Sequence, residues 1–418
     1  PFKAVEVLLG TGRTEENLGK IIKMLYTILL FLLFFSALLE SMAVRYFYSK
    51  TVKNYAVLMA EKEFNFVTYF LLAMVLTLVS ALRGGLGTDW INYKKIFDAV
   101  LYNPKSVDTI YRGVEKGYLL VNVLVSKFTD NYFVLQFLLS IFTCAVIFGN
   151  FWKNSKAPFV LIFIYYVSNY FGINFEIVRQ GIATAIILLG LKTARNRSFL
   201  LWCLIIMLAM QFHVSSIVAF PLYFSTYRKI SKRFALIMLC TALVITFFGN
   251  AFIRSALTAM EFIPFLPKRI IHLLHMYLAV SSKHGKLVEF NSGLGIIVIY
   301  VIYGFMIFLT FKDGKNKSKE YFVFNFLIYL VIMAIGRNVE ILGRCATYYF
   351  ISGNGIFAYS LIFEKDSCLY KKLDFIRIFI VMLFIAFNTL SFYKGFNKER
   401  PSGKSNADYY IPYKTFLD

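Results

Sequence analysis

Apolar runs recur along this chain, each near the length of a bilayer crossing, and most are closed by a short basic loop. A helix needs ~20 apolar residues to cross a bilayer. Only helices and closed barrels satisfy every backbone group there. Candidate spans fall at roughly 24–42, 64–82, 131–152, 157–173, 176–194, 198–212, 214–227, 234–253, 292–311, 320–336, 341–363 and 373–392. A soluble chain of 418 residues could not hide a 59% hydrophobic composition with only 16% charged residues. The expected fold is therefore an all-α polytopic integral membrane protein of about 12 transmembrane helices, with short or re-entrant segments and external loops. The 198–227 stretch is too long for one ordinary span and too short for two full ones. Its length predicts two short helices meeting at a turn near His213. Residues 117–130 form a shorter apolar stretch that lies along the membrane or re-enters it.

Domain organisation follows from the same pattern. Residues 24–392 form a single membrane domain with external loops at 83–130 and 254–291, and 393–418 form a tail. Residues 1–23 are mixed in character. They read either as a remnant before a native start at Met24 or as a genuine amphipathic segment.

The net charge of +22 does not point to nucleic acid, because the basic residues are divided among short loops. Loops at 153–156, 192–197, 228–233, 312–319 and 365–372 are rich in Lys and Arg. The positive-inside rule places them in the cytoplasm. Both termini then lie outside, although Lys394, Lys398, Arg400, Lys404 and Lys414 argue against that position for the tail. The five cysteines are scattered, with no CxxC or Cys/His spacing, so neither a disulfide nor zinc is expected.

This topology gathers unusual residues on the outer face. The run ending at Leu82 passes into Arg83-Gly84-Gly85-Leu86-Gly87-Thr88-Asp89-Trp90, with Tyr93 following. Arginine suits phosphate because its planar fork donates two parallel hydrogen bonds and keeps its charge. Glycines permit tight turns and close backbone approach. An interfacial anchor followed by a turn is the plainer reading. Glu176, Arg179 and Gln180 start another helix on this face, and Arg337, Glu340 and Arg344 surround a further outer turn. Ionisable groups at membrane depth are costly and usually functional. Each has a structural alternative: Arg179 pairs with Glu176 one turn away, His213 is a buried histidine satisfied by a carbonyl, and Arg344 snorkels to the interface. Residues 267–281, with Lys268, Arg269, His272 and His275, read as an interfacial amphipathic helix or lid. Walker A, HExxH, G-x-S-x-G and DxD motifs are absent from the sequence. Chemistry at an outer face has no ATP or nucleotide sugar to draw on, which leaves a lipid-linked donor as the natural energy source.

Five features in order resemble the EpsG family, within the Wzy-type O-antigen and exopolysaccharide polymerases. They are Arg83 through Tyr93, Arg179-Gln180-Gly181-Ile182-Ala183, His213 with Ser215-Ser216, Gly343-Arg344 to Phe350, and Ile411-Pro412-Tyr413-Lys414. The resemblance runs from about Met24 to near the end of the chain. It implies a polysaccharide polymerase at the outer, periplasm-facing side of a bacterial inner membrane. Such an enzyme moves a glycan from one undecaprenyl-diphosphate carrier onto a lipid-linked repeat unit. The implied partners are undecaprenyl-diphosphate-linked oligosaccharide, membrane lipids and a chain-length regulator protein, with no nucleic acid, metal or cofactor.

Within that expectation His213 is the first choice of base, because a histidine ordinarily titrates near neutrality. Asp89 and Glu176 are the reserves. Arg83, Arg179, Arg344 and Arg337 are expected on the diphosphate, where cations stabilise an anionic leaving group. Trp90, Tyr93 and Gln180 are expected on the glycan. An O-antigen ligase uses the same donor and is the closest alternative. A transporter or flippase of lipid-linked sugars is another, but no convincing pair of broken, inverted repeats is visible.

Overall fold

The computed structural model describes residues 24–41, 55–87, 89–103, 113–155, 157–225, 230–261, 294–312, 317–338, 340–353, 370–397 and 414–415, and within these helices some side chains are not described. Among the described residues the fold is helical apart from a pair of two-residue strands. The described helices are α1(Met24–Ser41), α2(Tyr55–Ala81), α3(Trp90–Tyr102), α4(Lys116–Ser126), α5(Tyr132–Asn154) and α6(Pro158–Tyr165), followed by α7(Val178–Arg195), α8(Phe199–Met210), α9(Leu222–Ser225) and α10(Lys232–Glu261). The remainder are α11(Leu294–Lys312), α12(Lys317–Asn338), α13(Glu340–Gly353) and α14(Tyr370–Asn397). Among the described residues, Met24–Ser41, Tyr132–Asn154 and Lys232–Gly249 are helices long and apolar enough to cross a membrane, and shorter apolar helices such as Asn65–Ala81 and Glu320–Gly336 accompany them. Large apolar side chains including Phe35, Phe70, Leu200, Leu208, Ile237 and Phe248 are exposed on these helices. Such surface is suited to lipid rather than water.

α7 runs through the middle of the bundle and is buried along most of its length. Small residues explain how neighbours come so close. A Cβ on Gly181 would lie 2.8 Å from the Ile173 side chain, and one on Gly190 would lie 2.5 Å from that of Ile205.

α6 does not continue to the bundle end as a regular α-helix. It widens into two π-helical segments, Tyr166–Tyr170 and Gly172–Glu176. π-Segments disturb the regular ladder and are frequent near functional sites. Side chains bind backbone carbonyls around these segments. Asn174 Nδ2 donates to Tyr170 O at 3.0 Å and to the Tyr165 hydroxyl at 2.8 Å, while the Tyr170 and Tyr166 hydroxyls donate to Leu76 O and Tyr26 O. At the opposite end of α6, the Glu40 carboxylate accepts from Val160 N at 2.9 Å, where a helix N-terminus favours negative charge.

Residues 198–225 form a hairpin of short helices, as the length of the 198–227 stretch predicts. α8 ends at Met210, and the chain turns through Gln211, Phe212 and His213. It returns through the 3₁₀ helix Val214–Ala219 and α9. Two cross-links place the limbs side by side: Trp202 Nε1 donates to Phe220 O at 3.1 Å, and the Tyr223 hydroxyl donates to Arg197 O at 3.2 Å. The hairpin therefore enters and leaves at the same end of the bundle. The expected span at 234–253 runs further, with α10 reaching Glu261. The amphipathic segment expected at 267–281 lies outside the described residues, as do residues 354–363 of the span expected at 341–363.

β1(Arg83–Gly84) pairs antiparallel with β2(Lys414–Thr415), in the register Arg83↔Thr415 and Gly84↔Lys414. This pairing sets Lys414 and Thr415 beside the glycine-rich junction.

Candidate functional site

Several broken elements converge at one end of the bundle. They are the junction after α2, the start of α4, the π-segment before α7, the hairpin turn after α8 and the start of α13. Arg179 and His213 meet there on the Glu115 carboxylate.

Glu115 is the N-cap residue of α4, in extended backbone. The next turn of α4 docks backbone to backbone on the hairpin: Gly117 N and Tyr118 N both donate to Gln211 O, at 2.8 and 3.2 Å. Glycine is required at 117 because a Cβ there would lie 2.7 Å from both Gln211 O and Gln211 Cβ. This contact sets Glu115 beside the turn that carries His213. His213 Nδ1 lies 3.1 Å from Glu115 Oε1, and Val214 N donates to the same oxygen at 3.4 Å. A carboxylate only accepts, so this contact assigns the hydrogen to Nδ1 and leaves Nε2 as the acceptor of the neutral ring. The other carboxylate oxygen takes an ion pair from Arg179 Nη1.

The three groups are unequally exposed. The Glu115 side chain is 8% exposed, against 25% for Arg179 and 30% for His213. Burial pushes the Glu115 carboxyl up. The hydrogen bond from His213 and the Arg179 charge outweigh that, and the group is held below the ordinary glutamate range. An anion is thus kept in place beneath two more accessible bases.

A second layer fixes Arg179. Its guanidinium lies over the Tyr93 ring, 5.9 Å from the centroid. The Tyr93 hydroxyl donates to Glu176 O at 3.1 Å, tying α3 to the last residue of the π-segment. Gln180, one residue on, donates to Arg344 O at 2.6 Å and so joins the start of α7 to α13. The Arg344 side chain is exposed. On α13 the Tyr348 hydroxyl meets Ser215 Oγ at 3.0 Å, and the Tyr349 hydroxyl donates to Val218 O at 2.7 Å, so α13 also braces the segment after His213. Arg179 Nε, Gln180 Oε1 and Ser216 Oγ are buried without a hydrogen-bond partner among the described residues. Each such atom costs ~1–3 kcal/mol.

The structure thus brings Arg179, His213, Tyr93, Gln180 and the Arg344 backbone into one network. Other expected site residues are placed differently. Arg83 is 1% exposed. Its guanidinium donates to Ser80 O and, at 3.3 Å, to Ser140 Oγ, and it lies over Phe175 at 5.0 Å. Trp90 directs its indole N–H to Gln136 Oε1 at 2.7 Å and packs edge-on against Tyr132. The same Gln136 amide donates to Ala81 O and Arg83 O. Gly85 and Gly87 have positive φ values of 65° and 99°, and a Cβ on Gly87 would sit 2.2 Å from Phe175 O. The junction is therefore a packed turn seated on the π-segment. Asp89 holds the N-cap position of α3 without a side-chain capping bond. Glu176 contributes its carbonyl to Tyr93. Arg337 lies in the last turn of α12, with its side chain outside the described residues.

Glu115 is absent from the expected set. It follows a mixed stretch and carries a lysine neighbour, so it reads as solvated loop. Its one sequence signal is an acidic residue at the mouth of a short apolar helix with glycine two positions on. Tyr348 was legible only as part of the Gly343–Phe350 helix start.

Neither curated proteins nor solved structures match this chain. The sequence profile of the EpsG family matches residues 66–415. That match takes in the junction, Glu115, both limbs of the hairpin, α7, α13 and the β2 strand, and the chain belongs to the EpsG family.

Proposed function

We propose that this protein is a membrane polysaccharide polymerase. On this reading it crosses the bacterial inner membrane about 12 times and faces the periplasm with the end that carries Glu115, Arg179 and His213. It transfers a glycan from an undecaprenyl-diphosphate carrier to a lipid-linked repeat unit. Family membership carries the general activity. The observation that carries the site is the Glu115 carboxylate clasped between Arg179 and His213, with Arg344 anchored alongside through Gln180.

The chemistry follows from the residue types. The acceptor hydroxyl gives its proton to His213 Nε2 as its oxygen forms a bond to the anomeric carbon of the donor. The bond from that carbon to the diphosphate oxygen breaks, and its electron pair leaves with the undecaprenyl diphosphate. Arg179 and the exposed Arg344 stabilise the charge that develops there. Glu115 stabilises the imidazolium formed on His213, as a buried carboxylate does beside a catalytic histidine. Arg83, Trp90 and Tyr93 support the site: the first two hold the junction, and Tyr93 holds Arg179. Arg337, Asp89 and Glu176 remain secondary candidates for diphosphate binding or for the base.

Purified protein supplied with lipid-linked repeat units and no nucleotide sugar should produce a ladder of longer lipid-linked glycans. Absence of elongation would sink the polymerase reading. Consumption of a lipid A core acceptor in preference to repeat units would replace it with a ligase.

A further inference from the structure

The Glu115 carboxylate is shared by two groups that the proposed reaction uses at different moments. Oε2 holds Arg179, and Oε1 holds His213 and Val214 N. We infer that Glu115 is a donor-sensing positioning residue: an arriving diphosphate takes Arg179 away from it, and the released carboxylate then acts on His213 alone. This inference rests on the polymerase reading for the identity of the donor and deepens it by assigning regulation to the same site.

The exchange is chemically favourable in direction. A diphosphate carries more negative charge than a carboxylate and matches the guanidinium fork with two acceptors. Arg179 is within reach, because a quarter of its side chain is exposed. Glu115 does not follow Arg179 outward. It is 8% exposed, and the docking of Gly117 and Tyr118 on Gln211 fixes the backbone beside it. Once Arg179 turns to the diphosphate, Glu115 keeps only His213 and Val214 N. The carboxylate then serves only the positive charge that forms on the imidazole in the reaction. Before the donor arrives, Arg179 shares that carboxylate. Donor occupancy and the support Glu115 gives His213 are therefore coupled, and coupling of this kind is reciprocal. The arrangement also discourages deprotonation of an acceptor or a water while no donor is seated.

Competition for Arg179 has a consequence that an ordinary structural carboxylate does not share. Removing the competitor should strengthen diphosphate binding while weakening catalysis. The test uses the purified full-length protein in detergent, titrated with inorganic pyrophosphate by calorimetry. Glu115→Gln should bind pyrophosphate about tenfold or more tightly than the wild type, since one charge-assisted bond to Arg179 no longer has to be broken. Glu115→Asp keeps the charge but is one methylene too short to hold both partners, and should also bind more tightly, though less so. In elongation assays Glu115→Gln should lower kcat by about a hundredfold, the scale of a general base, while the donor KM falls. Equal or weaker pyrophosphate binding in every variant that folds would overturn the inference. The binding comparison needs no turnover, so failure of the polymerase reading in the elongation assay is a separate result.

Discussion

Gly117→Ala isolates the contact on which the site depends. The added methyl would lie 2.7 Å from Gln211 O, 2.7 Å from Gln211 Cβ and 3.0 Å from the Gln211 carbonyl carbon. Two of those atoms are backbone, so no side-chain rotation relieves the clash, and the first turn of α4 must withdraw by about half an ångström or more to restore contact distance. The hydrogen bonds from Gly117 N and Tyr118 N, now 2.8 and 3.2 Å, then lengthen toward the point at which such bonds cease to count. Loss of both costs about 1–3 kcal/mol, and overpacking costs about 1–3 kcal/mol. Alanine's better helix propensity returns at most ~1 kcal/mol. The net destabilisation should be about 1–6 kcal/mol. Glu115 sits two residues before the clash, 3.1 Å from His213, and moves with the helix end. Elongation should fall by about 100-fold or more, with unfolding measured by thermal denaturation in the same detergent. Gly149→Ala is the matched control, because its Cβ meets nothing within 4 Å and it lies within α5; it should be neutral or slightly stabilising. A folded Gly117→Ala protein that elongates glycan at the wild-type rate would refute the claim that this docking positions the site.

Further outcomes follow from the same contacts. Arg179→Lys keeps the charge but loses the fork, and should reduce elongation at least about tenfold; an unchanged product ladder would remove Arg179 from the donor site. Arg83→Ala should lower stability by about 2–4 kcal/mol because Arg83 is buried against Ser80 O, Ser140 and Phe175, and the protein that folds should keep its donor KM; a raised KM with intact stability would instead place Arg83 on substrate. The carboxyl of Glu115 is held below its ordinary value in the folded protein, so it contributes stability that is present above the unfolded-state value of about 4.3 and is lost as pH falls through the folded value. Acid unfolding curves of wild type and Glu115→Gln should therefore converge as pH falls below the folded value, and a gap that widens on acidification would contradict the sign.

How much of this was legible depended on the range of each interaction. The all-α character was legible because long apolar runs favour helices in a bilayer, and among the described residues three of those helices are long and apolar enough to cross a membrane. The His213 hairpin was legible because about thirty residues cannot make two full spans, and Trp202 and Tyr223 now show the two limbs side by side. The Arg83 environment was not, since an arginine at the end of an apolar run reads as an interfacial anchor unless its burial is known. Glu115 was invisible for a different reason. Its partners lie 64 and 98 positions away, and no local pattern reports a carboxylate that long-range packing alone completes. For Arg179 the expected partner was Glu176, one turn away, whereas the ion pair to Glu115 crosses from α7 to α4.

Both ends of the bundle carry cations, so positive charge by itself does not mark the functional one. At the opposite end Lys153, Lys192, Arg195 and Arg197 cluster near helix termini, where cations complement carbonyl-bearing ends. Arg195 there lies over the Tyr321 ring at 5.0 Å. These residues do what topology signals do: they sit at helix ends. Around Glu115 the order of burial is reversed, with the anion innermost and the cation and imidazole outside it. A buried carboxylate is expensive unless its partners hold it. Keeping one beneath two accessible bases makes sense when those bases exchange partners with something from outside. Glu115→Leu would separate cost from purpose. If the cluster served stability alone, an apolar residue of similar volume should be tolerated, because replacing a buried ionic group by well-packed hydrophobic residues is often neutral or stabilising. The expected result is a protein within about 2 kcal/mol of wild-type stability that makes no ladder, and a leucine variant that still elongates glycan would show that the carboxylate is there only to hold the fold.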